Sequence, residues 1–209
     1  MKKLAFTMIE LVFVIVVIGI ITAVMLPRID RDNVYEAAQQ VISHIKYTQH
    51  LAMIDNKFDD TDSLWYKELW QIRFQDCGAG NTLHAYSVFS DENHLGSINT
   101  SEAALDPLSR KRIDATNCVA SVNQDPNVVL SNKYDIDTIT LAGGCFIKTG
   151  FTTNKSIAFD NLGRPHMDLS NSVNTATTAC TINLASNGEN ATITIEPETG
   201  YTYLSFITP

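Results

Sequence analysis

Long runs of positive charge are missing from this sequence. No polybasic run occurs in its 209 residues, and beyond Arg112 the cationic side chains are only Lys133, Lys148, Lys155 and Arg164. Nucleic-acid affinity rests on clustered Lys and Arg contacts to phosphate, so nucleic acid is not an expected partner. The excess of 23 Asp plus Glu over 15 Lys plus Arg describes a soluble, self-repelling exterior instead. Catalytic signatures are also absent: there is no G-x-S-x-G, no H-E-x-x-H and no glycine-rich phosphate loop. No enzymatic activity and no cofactor are therefore expected. The four cysteines include no C-x-x-C pair, which argues against a thiolate zinc site.

What is present is uneven. From Leu11 to Leu26 the text LVFVIVVIGIITAVML carries no charge, and its one clearly polar side chain is Thr22. With Phe6 to Ile9 in front, the stretch approaches the roughly 20 residues that cross a bilayer core. Lys2 and Lys3 precede it, which places the N-terminus on the cytoplasmic side, although Arg28 and Arg31 weaken the contrast. An ordinary secretory signal peptide shares the basic start and the apolar run. Two features oppose that reading. No convincing small-x-small cleavage site follows Ala23, and Glu10 sits inside the apolar stretch, where a carboxylate costs a few kcal/mol and is normally retained for a partner.

The segment MKKLAFTMIELVFVIVVIGIITAVMLP resembles the class III signal of type IV prepilins and pseudopilins. The resemblance implies a leader, residues 1–5, cut by a prepilin peptidase between Ala5 and Phe6. Phe6 becomes the N-methylated first residue, Glu10 the assembly glutamate at the fifth mature position, and Pro27 the helix-kinking proline. The departures are Ala5, where the family usually has Gly, and Met8, where Leu is usual. The implied product is a structural subunit, a minor pseudopilin or minor pilin of a type II secretion or type IV pilus filament. It would be single-pass in the inner membrane with a periplasmic C-terminal domain. Its expected partners are other pilin-like subunits, the peptidase, the inner-membrane assembly platform and the lipid bilayer. A minor pilin that takes up DNA, or a membrane-anchored periplasmic protein of other function, are the alternatives.

The expected architecture is α+β. Residues 6–27 form a transmembrane, filament-core helix, and residues 28–57 continue it as an amphipathic helix. Residues 58–209 form a β-rich domain on which that second half packs, the arrangement of the pilin fold. Val34, Ala37, Ala38, Val41, Ile42, Ile45, Leu51, Ala52 and Ile54 recur at three- and four-residue steps. Asp32 or Asn33 caps the start. His44 and His50, six residues apart, do not share a face and read as packing or surface residues. LWQIRFQ, AYSVFS, KSIAF, CTINL, ATITIE and YTYLSF read as short strands. Asn187-Gly188 predicts a hairpin and PETG a second turn, giving a C-terminal antiparallel meander. SIAFDNLGRP and ITIEPETGYTYL are similar, loosely, to the end of H-type minor pseudopilins. Residues 91 to 135 read as long polar loops with a short helix near Ser101 to Leu108.

Cys77, Cys118, Cys145 and Cys180 all follow the apolar segment, and an oxidising compartment would make two disulfides of them. Three pairings are open; Cys77 with Cys118 and Cys145 with Cys180 is the expected one. Asp55, Asp59, Asp60 and Asp62 offer hard oxygen ligands, with Asp59, Asp60 and Asp62 as weak calcium candidates, but their spacing is not that of an EF-hand. A solvated loop at the helix exit is the expected reading.

Overall fold

The computed structural model describes residues 7–25, 32–78, 80, 82–115, 118, 123–148, 155–169 and 174–208. The chain divides into two units, Met1–Asp32 and Asn33–Pro209. The first contains α1, Met8–Met25, apolar on every face apart from Glu10 in its first turn. Its 18 residues rise about 27 Å. Among the described residues no helix is long and apolar enough to cross a membrane.

The second unit opens with α2, Asn33–Ile54. Val34, Ala37, Ala38, Val41, Ile42, Ile45 and Ala52 are buried along one face, as their spacing predicts. Ile54, expected to end that stripe, is 66 % exposed, because the helix stops there and the chain turns away. The Asn33 amide donates to Asp135 Oδ2 at 3.2 Å, tying the helix start to a distant loop.

Among the described residues, eight strands make two four-stranded sheets. In chain order they are β1 (Gln71–Cys77), β2 (Leu83–Phe89), β3 (Thr138–Gly143), β4 (Ile147–Lys148), β5 (Lys155–Ala158), β6 (Cys180–Ser186), β7 (Glu189–Ile195) and β8 (Thr202–Thr208). The sheet orders are β2-β1-β5-β4 and β3-β6-β7-β8, and every pairing is antiparallel. The expected meander is β6-β7-β8. Its first turn places Asn187 at φ 50° and Gly188 at φ 91°, the left-handed pair a tight hairpin needs. β3 and β4 were not among the expected strands.

β6 alternates strictly, burying Cys180, Ile182, Leu184 and Ser186. β1 is buried on both faces. Ile72 and Phe74 point into the main core, while Gln71, Arg73 and Gln75 lie under the segment that follows β2. Arg73 survives burial by donating to Ser156 Oγ and Gly96 O, each at 2.8 Å, and by stacking 4.5 Å from the Phe89 ring centre. Burial pulls its guanidinium down to about 10, partly offset by Asp91, so it stays charged at neutral pH.

The helix expected near Ser101 to Leu108 does not form. Ala103 bridges Phe89, and Leu105 bridges Arg112. The Ala104 N–H donates to Val88 O, and the Ile113 N–H to Ala104 O. Pairing against β2 wins because it buries Ala103, Ala104 and Ile113, which a free surface helix could not do. The short helix of this region is instead α3, Leu130–Tyr134.

Disulfides join Cys77 to Cys118 and Cys145 to Cys180, closing loops of 41 and 35 residues. On a chain-entropy account each restricts the unfolded state by about 4 kcal/mol. Cys77 pins the covering segment to the end of β1. Cys145, just before β4, pins one sheet to β6 of the other.

Two turns meet on α2. Gln49 Nε2 donates to Gly200 O at 2.6 Å and to Gly163 O at 3.2 Å. Gly200 has φ +65°, and a Cβ there would run into Gly163 O and the Gln49 amide. Gly200→Ala is expected to lower stability by at least about 2 kcal/mol, from the left-handed backbone and the displaced contact together. Gly188→Ala, also at positive φ but facing open space, should lose only about 1 kcal/mol. Urea unfolding at constant slope checks the pair, and equal losses would rule out the close contact as a cause.

Candidate functional site

At the head of α1, Thr7 and Glu10 stand in T-x-x-E spacing. The Thr7 N–H and hydroxyl each donate to Glu10 Oε2 at 3.4 Å, half of a capping box. The contact is long for a hydrogen bond, and the carboxylate is otherwise exposed. Met8, Ile9 and Phe13 around it are 87 %, 79 % and 70 % exposed. Ala5, Phe6 and Pro27 lie outside the described residues, so no geometry attaches to the cleavage, methylation or kink positions.

The acidic loop after α2 is used locally. Asp55 binds Lys57 Nζ at 2.9 Å and accepts from Trp70 Nε1 at 2.8 Å. Asp59 Oδ1 accepts from the Thr61 N–H and hydroxyl, and Asp62 Oδ1 from the Leu64 N–H. Among the described residues, Asp59, Asp60 and Asp62 form no common ligand set. Asp62 lies instead with Glu68 and His94, whose Nε2 is 3.0 Å from Glu68 Oε1 and 3.6 Å from Asp62 Oδ2.

His50 is exposed, but His44 is buried at the centre of a polar network. Its Nδ1 stands 2.8 Å from the Tyr86 hydroxyl on β2. Its Nε2 is 3.2 Å from the Gln40 amide nitrogen and 3.6 Å from Asp106 Oδ1. Asp125 completes a cluster in which one ligand atom of each residue lies within 4.8 Å of the others. Burial pulls the His44 imidazole below its usual range against the opposing pull of Asp106 and Asp125, so the ring is neutral at pH 7. Burial also raises the Tyr86 phenol, which stays protonated. No sequence signal marks this site, since its three residues are spread from α2 to the segment beyond β2.

No family model, no curated protein and no solved structure matches this chain.

The FDNLGRP stretch makes a self-contained loop around Asp160. Asp160 Oδ1 accepts from the Leu162 and Arg164 N–H groups at 3.0 and 2.9 Å. Its Oδ2 takes the Arg164 Nε and Nη2 at 2.8 Å each, a two-pronged pair. Arg164, Asp160 and His166 line a cleft of about 340 Å³ with Phe58, Trp65 and Leu69. Burial works to raise the Asp160 carboxyl, yet hydrogen bonds from His166, the Arg164 and Leu162 amides and the Arg164 side chain hold it down at about 2. His166 Nε2 is 3.5 Å away and neither ring nitrogen has a good hydrogen bond, so Arg164 and the two amides carry most of that effect.

A folded-state value below the unfolded 3.8 contributes stability that is present above about pH 4 and lost as pH falls toward 2. Asp160→Asn is therefore expected to cost about 2 kcal/mol at neutral pH, with the gap from the parent closing between about pH 4 and 2. Denaturant titrations of both proteins across that range check it. A gap that does not change with pH would remove the carboxylate charge as its source.

Proposed function

We propose that this chain is a pilin-like structural subunit, a minor pseudopilin or minor pilin, that enters a secretion or pilus filament after removal of residues 1–5. The observation that carries the reading is Glu10, a lone carboxylate in a helix apolar on every face. Such a helix with exposed side chains requires lipid or neighbouring helices around it. The uncharged run in the sequence continues to Leu26 and is preceded by Phe6 to Ile9, which brings it to the length of a bilayer core. Thr22, its other polar side chain, is satisfied within the helix by donating to Ile18 O at 2.5 Å.

Magnitudes favour a partner for Glu10. A carboxylate at membrane depth costs a few kcal/mol, whereas a half capping box with 3.4 Å contacts returns well under one. The new amine of Phe6 on a neighbouring subunit supplies the missing countercharge when parallel helices bundle. The layout of the second unit, an amphipathic helix on antiparallel sheets, suits a head group carried outside that bundle. The finer H-type reading draws on the FDNLGRP and PETG turns, which converge on Gln49 of α2.

Mass spectrometry of the membrane-extracted protein is expected to show an N-terminus at N-methyl-Phe6. A start near Pro27, or an intact Met1, overturns the proposal. Glu10→Ala should still insert in the membrane yet fail to co-purify with the other pilin-like subunits, and its normal incorporation would sink the pairing with Phe6.

A further inference from the structure

We propose that His44, Asp106 and Asp125 form a binding site for one divalent transition-metal ion of the zinc class, which locks the segment after β2 onto α2. The three residues are 3 %, 6 % and 1 % exposed. Two carboxylates are therefore buried, and among the described residues no Lys or Arg comes within 4.0 Å of either. A buried pair of this kind costs several kcal/mol per charge unless a cation or a full set of donors offsets it. The donors present are amides and one hydroxyl, none of them a cation. Asp106 accepts from the Ser109 N–H, at 2.6 Å on Oδ2, and from the Leu108 amide and the Ser109 hydroxyl. Asp125 Oδ1 accepts from the Asn127 N–H at 3.0 Å and its Oδ2 from the Ser109 hydroxyl at 3.4 Å.

The distances suit ligands better than hydrogen-bond partners. His44 Nε2 and Asp106 Oδ1 are 3.6 Å apart, too far for a hydrogen bond. Two ligands each about 2.1 Å from a tetrahedral ion stand roughly 3.4 Å apart. The imidazole also has the orientation a ligand needs: with Nδ1 held 2.8 Å from the Tyr86 hydroxyl, Nε2 is the ring nitrogen that faces Asp106. Nε2 also stands 3.2 Å from the Gln40 amide nitrogen, and binding an ion requires that amide to move aside or present its oxygen.

The donor set selects the ion. One imidazole with carboxylate oxygens suits zinc and its first-row neighbours, whereas all-oxygen cages suit calcium and magnesium, and no thiolate is present for copper(I). Cysteine spacing, which disfavours a thiolate zinc site, has no bearing on this one, since no cysteine takes part. His44 sits on α2, while Asp106 and Asp125 sit on the segment laid over β2, so an ion here joins parts 62 residues apart or more in the chain.

The test uses the full chain in detergent, stripped with chelator and dialysed, then equilibrated with zinc sulfate. One zinc per chain by elemental analysis is expected, with a melting temperature raised by about 5–10 °C at 100-fold excess over Kd. Asp125→Asn and His44→Gln should lose both the bound zinc and the shift, while His94→Gln, in the other His-carboxylate cluster, should keep both. Should the His44 or Asp125 variant fail to fold, cobalt(II) titrated into the parent protein gives the second readout. A tetrahedral visible spectrum without thiolate charge transfer supports the site. No zinc retained, a melting temperature indifferent to zinc, loss of zinc only in His94→Gln, or a cobalt spectrum of hexa-aquo type overturns it.

Discussion

Among the described residues the two sheets share no hydrogen-bonded ladder, so they are joined by side chains and covalent links, and α2 packs against both. Its stripe from Val34 to Ala52 packs in one continuous core with Ile72, Phe74 and Tyr86 of the first sheet and Ile182, Leu184 and Ile193 of the second. Each fully buried aliphatic or aromatic side chain in such a seam contributes roughly 1.5–3 kcal/mol. Several together outweigh the about 4 kcal/mol of the Cys145–Cys180 bridge. The three alanines in the stripe, Ala37, Ala38 and Ala52, keep the helix close to the sheets. Everything else hangs on that approach. Gln49 can hold two turns at once, and Tyr47 can donate to Leu105 O at 2.9 Å, only because the helix backbone is already fixed beside them.

Buried charge is met by different partners at different places in the molecule. Arg73 is balanced by Asp91 nearby and spread over Ser156, Gly96 and the Phe89 ring. Asp160 is met by the Arg164 fork and two amides. Asp106 also lies below its usual range: burial pushes it up, but the Ser109 hydrogen bonds, the Leu108 amide and His44 pull it further down. Asp106 and Asp125 lie close together with no guanidinium or ammonium partner among the described residues. The contrast gives the third place its meaning, because the same chain uses arginine where it needs a fixed countercharge.

The sequence makes the regular parts legible because their periods are strong. The α2 stripe, the Asn187-Gly188 hairpin and the β6-β7-β8 meander follow from spacing and turn chemistry, and the expected disulfide pairing is the one found. β3 was not legible because its residues stay largely exposed at a sheet edge, leaving little alternation to read. β4 is two residues long. The helix expected near Ser101 failed for the opposite reason: local propensity in SEAAL lost to pairing with Phe89 and Val88, partners a sequence window cannot see. Gln49, Asp160 and the His44 cluster were missed together, since each gains its role from residues far away in the chain.

In the proposed filament the two helices do different physical work. The face of α2 toward the sheets is consumed by the core, and the face left over carries Tyr35, Glu36, Gln39, Ser43, Lys46 and His50, all exposed. Contacts made there are polar, individually weak and screened by salt. α1 presents Ile, Val and Phe on every side and one carboxylate near its start. Under the proposal its contacts would be apolar, apart from the single charge pair that would set how far one subunit slides along the next. A one-residue slip between parallel helices, about 1.5 Å of rise, would already strain that pair, so under the proposal Glu10 would act on register and α1 as a whole on cohesion.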